Sequence, residues 1–137
     1  AKQLVFASES GALDHAKKEA FLKAEGYDIV QSLGLAVPGS AYSCTLPKEF
    51  WLDAMINLKN KSAEAYFISC ANVVATYSIP ELERSLGSPV VTSNQAALWC
   101  ALRTAGINDD IPELGQLFKL DLKDPFVAAK YKDVGNK

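Results

Sequence analysis

The chain has 137 residues, of which 49 % are hydrophobic, and its formal net charge is -2. This length and composition suit one domain with its own core, and no apolar run approaches the roughly 20 residues of a membrane span. Because the basic residues are scattered and the three cysteines lack zinc-site or disulfide spacing, we expect a cytoplasmic protein without a nucleic-acid, membrane or metal partner.

Short apolar runs alternate with helical patterns along most of the chain. Four runs predict buried strands, at Leu4–Ala7, Tyr27–Leu33, Glu64–Cys70 and Pro89–Ser93. Helical patterns follow them, at Gly11–Glu25, after Pro47, from Ser78 to Gly87 and from Asn94 to Ala105. Ser78 and Glu81 have the spacing of a capping box, which predicts the start of the third helix.

Strand–helix alternation with short connections predicts an α/β fold. We expect a single Rossmann-like domain with a four-stranded parallel sheet flanked by helices, over residues 1–122, and a C-terminal tail over 123–137. Right-handed crossovers place the loops that follow the strands on one common edge. Ligands bind at this edge in open α/β sheets, so the functional site is predicted there.

The strand-end loops carry small polar residues that lead into helix starts. Backbone N–H groups at helix starts favour anions, and phosphate-loop and dinucleotide motifs are absent, so the loops predict a cradle for a small carboxylate. Ordinary helix caps are the alternative interpretation. Glu9 is expected to cap the first helix, with a carboxylate contribution to the same edge as the alternative, while Lys17 and Lys18 are expected to be solvated.

Cys70 is the candidate for chemistry because it falls at the end of a buried strand. A thiol there can act as a nucleophile or as a proton donor and acceptor, whereas a buried, inert cysteine is the alternative. Cys100 is expected in the core, and Cys44 is unassigned. His15, the single histidine, is expected to be solvated, although it is near enough to the first strand-end loop to reach a ligand.

Two motifs resemble the aspartate/glutamate racemase superfamily, in the branch of arylmalonate decarboxylase and maleate cis-trans isomerase. They are FISCAN, from Phe67, and IPELERSLGSPVVTSNQAALWCALRTAGI, from Ile79. LVFAS, GYDIV and SLGL agree in order, and GQLF resembles the common ending. The resemblance covers Leu4 to about Leu120. It implies the C-terminal half of a two-domain, pseudo-symmetric fold that uses no cofactor.

The resemblance also implies an activity and a set of site residues. Cys70 corresponds to the second-domain cysteine of a racemase, isomerase or decarboxylase that acts on a small carboxylic acid. Its thiolate moves a proton beside a carboxylate or attacks a double bond, while backbone N–H groups and hydroxyls hold the anionic intermediate. The substrate-binding positions are predicted at Ser8, Ser10, Ser40, Ala71, Asn72, Ser93 and Asn94.

This sequence departs from the branch at two positions and in length. Ser10 stands where the branch carries a tyrosine, and Ser40 where the isomerases carry an asparagine. The first domain of the family has no counterpart in the chain. One interpretation is that the chain is a piece of a longer protein, and a second is a homodimer in which two copies of Cys70 face each other. The third interpretation is a non-catalytic member that binds a small anion or a partner protein.

Overall fold

Four parallel strands form one sheet in the order β2-β1-β3-β4. The computed structural model describes residues 2–71 and 74–122, so the tail assigned to 123–137 lies outside the described residues. The strands are β1 (Gln3–Ser8), β2 (Asp28–Gly34), β3 (Ala65–Ser69) and β4 (Val90–Thr92). The predicted α/β fold with a four-stranded parallel sheet is confirmed.

Within the described residues, five helices follow the strands. They are α1 (Ala12–Ala24), α2 (Ser40–Ser43), α3 (Lys48–Ile56), α4 (Ile79–Leu86) and α5 (Ser93–Thr104). The same part of the chain has short 3-10 turns at Thr76–Ser78, Pro112–Leu114 and Gln116–Lys119. Across 2–71 and 74–122, none of the helices has the length and apolar character that a bilayer crossing requires.

One face of the sheet packs against α3 and α4, and we call it the α3–α4 face. Val5 and Tyr66 are opposite each other on β1 and β3, and both are fully buried. Trp51 and Met55 of α3 and Leu82 of α4 belong to the same core cluster. Each such side chain contributes about 1.5–3 kcal/mol through burial, so this face holds most of the hydrophobic stabilisation.

The opposite face carries α1, and we call it the α1 face. Successive strand residues point to opposite sides, so Phe6 lies here, where its ring stacks on His15 with centroids 4.8 Å apart. His15 is only 8 % exposed, so the expectation of a solvated histidine is wrong. The helix itself is confirmed, but Leu13 and Phe21, whose spacing predicted it, are 73 % and 61 % exposed.

The helix starts differ from the prediction in their capping. Ser78 has helical backbone angles inside the preceding 3-10 turn, and its hydroxyl donates to the carbonyl of Lys48 instead of capping α4. The predicted capping box is therefore wrong. A capping box does form at α5, where Thr92 has the extended backbone that an N-cap needs and pairs reciprocally with Gln95.

Candidate functional site

The loops after β1 and β2 are tied together at the carboxyl edge of the sheet. Three backbone hydrogen bonds join them, from Leu35 to Ser8 at 2.8 Å, from Ala36 to Ser10 at 3.1 Å and from Val37 to Glu9 at 2.8 Å. Gly34 makes this approach possible, since a Cβ there would lie 2.9 Å from the Ser10 carbonyl oxygen and 3.0 Å from His15. The first two loops therefore form one unit.

Cys70 and Ser10 line the same cavity at this edge. The cavity has a volume of about 240 Å³, and Gly39, Glu9 and Asp14 also line it. A thiol, a hydroxyl and two carboxylates thus surround one space, which is suited to proton transfer. A larger groove of about 440 Å³ lies elsewhere, on the α1 face, and its lining is almost entirely apolar.

Ser8 lies behind this cavity and is fully buried. Its hydroxyl shares a 2.7 Å hydrogen bond with Nδ1 of His15 and accepts a 3.3 Å hydrogen bond from the backbone N–H of Ser10. Ser8 and His15 together hold the backbone that carries Ser10. As a direct substrate contact, Ser8 stays a prediction.

The loops after β3 and β4 are also linked. Asn94 donates from Nδ2 to the carbonyl oxygen of Ala71 at 2.9 Å, which ties the start of α5 to the residue after the cysteine. Ser93 is half-buried in the first helical turn of α5. Ser40 begins α2 directly after the cavity residue Gly39, and Asn72 lies outside the described residues.

Lys18 belongs to this edge, although it was expected to be solvated. Its ammonium donates to Ser10 Oγ at 2.8 Å, to Glu9 Oε1 at 3.3 Å and to the carbonyl oxygen of Ser69 at 3.5 Å. Lys17 is exposed as expected, with 68 % of its side chain accessible against 34 % for Lys18. The sequence carries no local signal for this role, because the contact with Ser69 joins residues 51 positions apart.

The charge state of His15 depends on its burial. Burial lowers the pKa of His15, Glu19 opposes this by raising it, and Lys18 lowers it further. Glu19 Oε2 lies 3.9 Å from His15 Nε2, and hydrogen bonds from Lys23 and Ser32 hold the pKa of the Glu19 carboxyl below its usual value. His15 is therefore neutral at physiological pH, which suits a group that fixes a loop.

The described part of the chain holds two other cysteines and no cluster of metal ligands. Residues 2–71 and 74–122 contain no group of three or more His, Cys, Asp or Glu side chains placed to hold a metal ion. Cys44 is exposed, with its thiol donating to the Ala41 carbonyl, and Cys100 is half-buried in α5. Neither belongs to the residues that line the cavity of Cys70.

A known protein family matches most of the chain. The family model described as arylmalonate decarboxylase matches residues 6–118. The arylmalonate decarboxylase of Bordetella bronchiseptica is 40 % identical to the chain over 57 residues, which are 41 % of this chain and 24 % of that protein.

Solved structures show the same fold. A crystal structure of arylmalonate decarboxylase has a TM-score of 0.77 and 26 % identity, covering 85 % of this chain and 53 % of its own. A maleate cis-trans isomerase of Nocardia farcinica, with a covalently bound succinylcysteine intermediate, has a TM-score of 0.83 and 21 % identity, covering 88 % and 49 %. The chain spans about half the length of these two structures, and its match to the family model over residues 6–118 shows that it belongs to the arylmalonate decarboxylase family.

Proposed function

We propose that the chain carries one side of the active site of a cofactor-independent decarboxylase, racemase or isomerase for a small carboxylic acid. Cys70 would be its acid/base or nucleophilic thiol. The observation that carries this proposal is that Cys70 and Ser10 line one cavity at the carboxyl edge of the sheet. A thiol in this role must stay reduced, which is in keeping with a cytoplasmic location.

The proposed reaction is a proton transfer at the carbon beside a carboxylate. In a malonate-type substrate, the bond between this carbon and one carboxylate breaks, carbon dioxide leaves, and the electron pair stays as an enediolate. The Cys70 thiol then gives its proton to the carbon, and solvent reprotonates the thiolate. In a racemase, the Cys70 thiolate would remove the proton from one face of the carbon, and an acid on the opposite face, supplied by the half that completes the site, would deliver another. In an isomerase, the thiolate would add to a double bond, the resulting single bond would rotate, and elimination of the thiolate would restore the double bond.

The retained carboxylate would be held by hydroxyl and backbone donors at the strand ends. The position of Ser10 in the cavity lining favours this role. Ser8 would hold Ser10 in place, because its hydroxyl accepts a hydrogen bond from the Ser10 backbone N–H. The remaining proposed contacts are Ser40, Ala71, Asn72, Ser93 and Asn94. Donors aimed at the enediolate oxygens stabilise the developing charge, so the step requires no metal or organic cofactor.

We further propose that a second copy of the chain, or a domain outside this sequence, completes the site. The cavity of about 240 Å³ is smaller than the roughly 300–1,000 Å³ of typical ligand sites. The match also covers only 53 % and 49 % of the two solved structures described above. If two copies pair, activity per chain will rise with protein concentration through the range in which dimers form. Full activity of a strictly monomeric chain would show that no second copy is needed.

The test of the thiol is exchange of the α-proton of phenylacetate with solvent deuterium, followed by NMR, together with carbon dioxide release from phenylmalonate. Cys70→Ala should lower both rates by about 100- to 10,000-fold. Cys44→Ala and Cys100→Ala are matched controls, because each removes one thiol that does not line the cavity, and both should retain the wild-type rates. Equal rates in Cys70→Ala and wild type would exclude the thiol mechanism.

A non-catalytic member of the family is the second candidate, and one observation favours it. Glu9 and Asp14 line the cavity, and the negative charges of these two carboxylates repel the carboxylate of a substrate. Such a protein would bind a small anion weakly or bind a partner protein. Its Cys70 would react with iodoacetamide with the pH profile of an ordinary exposed thiol, whereas a catalytic thiol would react at lower pH.

A further inference from the structure

The ammonium of Lys18 lies between two of the loops that build the site. It donates to Ser10 Oγ and Glu9 Oε1 in the loop after β1, and to the carbonyl oxygen of Ser69 at the end of β3. Lys18 and Ser69 are 51 positions apart in the sequence, so this contact is made by the fold and not by local geometry.

Lys18 spans the two loops at the point where the pairing of their strands ends. Parallel pairing of β1 with β3 ends at Ser8 and Ser69, and the residues that line the cavity, Ser10 and Cys70, come just after that end. Their separation therefore depends on contacts beyond the sheet. Three hydrogen bonds from one charged group, one of them at 2.8 Å, are suited to fixing that separation.

Lys18 also changes the charge of the cavity. Glu9 and Asp14 both line it, and each has a lysine partner, Lys18 at 3.3 Å and Lys17 at 3.2 Å. The Lys17–Asp14 pair is mostly exposed, so water screens it and it has little effect. The Lys18–Glu9 pair is more enclosed, with 34 % and 22 % of the two side chains exposed. Lys18 thus offsets the negative charge of Glu9, the more enclosed of the two carboxylates that line the cavity.

We propose that Lys18 is a positioning residue that fixes the Ser10 loop against the strand end of Cys70 and makes the cavity accept a carboxylate. The inference rests on the proposed carboxylate site and adds to it a cation, on α1, that the strand-end loops do not contain. Its ammonium also brings positive charge next to the residue preceding Cys70, which favours the thiolate.

The experiment compares Lys18→Met, Lys18→Arg and Lys17→Met with the wild type in the full chain. Lys17→Met is the matched control, since it removes the same charge from the neighbouring position of the same helix. One readout is the pH profile of iodoacetamide alkylation at Cys70, followed by peptide mass spectrometry to separate the three cysteines. The second is the dissociation constant of malonate, and the third is the urea midpoint, which verifies folding.

Lys18→Met should move the alkylation profile about half a pH unit higher and weaken malonate binding roughly fivefold to tenfold. Lys18→Arg should recover most of both effects, and Lys17→Met should match the wild type. If Lys18→Met unfolds, Lys18→Gln replaces it in the same comparison. A Lys18→Met profile that superposes on that of Lys17→Met overturns the proposal, as does a folded Lys18→Arg that behaves like Lys18→Met.

Failure of this inference is distinguishable from failure of the proposed function. A wild-type chain that neither exchanges protons nor releases carbon dioxide, even at dimer-forming concentration, refutes catalysis by the chain alone and by its homodimer. The alkylation profile of Cys70 still decides the role of Lys18 in that case, because it needs no turnover.

Discussion

The two faces of the sheet differ in how they are packed. On the α3–α4 face, Trp51, Met55 and Leu82 are fully buried in one continuous apolar core. On the α1 face, the buried residue of α1 is a histidine, and the apolar side chain of Phe21 is mostly exposed. The first face therefore supplies stability, whereas the second holds the polar contacts that position the candidate site.

The largest expected effect is on the α3–α4 face. Trp51→Ala should lower the free energy of unfolding by about 3–5 kcal/mol, because it leaves a cavity in the core. Phe21→Ala is the matched aromatic truncation on the α1 face and should change it by less than about 0.5 kcal/mol. Urea unfolding followed by circular dichroism measures both. Similar losses in the two variants would mean that the α1 face is packed as tightly as the core.

A smaller effect is expected where the loops after β1 and β2 meet. Gly34→Ala places a Cβ against the Ser10 carbonyl and His15, and should lower the unfolding free energy by about 1–3 kcal/mol. Gly11→Ala is the control, since a Cβ there meets nothing within 4 Å and the φ of -67° suits alanine. Equal urea midpoints for the two variants would contradict the close approach described for Gly34.

The smallest expected effect is the pH dependence of the unfolding free energy that His15, on the α1 face, causes. Its pKa in the folded chain lies below the ordinary value of 6.5, so the unfolded chain binds more protons in the window below 6.5. Stability is thus full above pH 6.5 and falls as the pH drops towards the folded pKa. Glu19, whose pKa is lowered from 4.5, acts only at lower pH.

Urea midpoints at pH 7.5 and 5.5 measure this dependence. His15→Gln should flatten it, and Glu19→Gln should steepen it, because the attraction that raises the pKa of His15 is removed. A wild-type protein with the same midpoint at both pH values, or a His15→Gln variant with the full dependence, would show that His15 is not buried as a neutral group.

Much of the fold was predictable because strands and helices have local sequence periods. The four strands and the long helices lie within a few residues of their predicted positions. The capping box was misplaced because Ser78 and Glu81 satisfy the spacing, but the backbone at Ser78 is already helical. Capping depends on the backbone angles of the N-cap residue, which the residue types and their spacing do not determine.

The candidate site was predictable in part. Placing Cys70 and Ser10 at one edge follows from the crossover rule for parallel strands, and both line the cavity. Lys18 was missed because its ammonium reaches the site through a contact with Ser69, and no local sequence pattern predicts that contact. His15 was misjudged for the same reason, since its stacking partner, Phe6, is provided by the sheet.

The sequence by itself determined the order of the elements, the family and the strand end on which Cys70 stands, because these follow from periodicity and motif. Only the tertiary structure decided which residues of α1 are buried and how the strand-end loops are joined. The physical reason is that burial and charge pairing depend on neighbours brought together by the fold, such as Lys18 and Ser69, and not on neighbours in the chain.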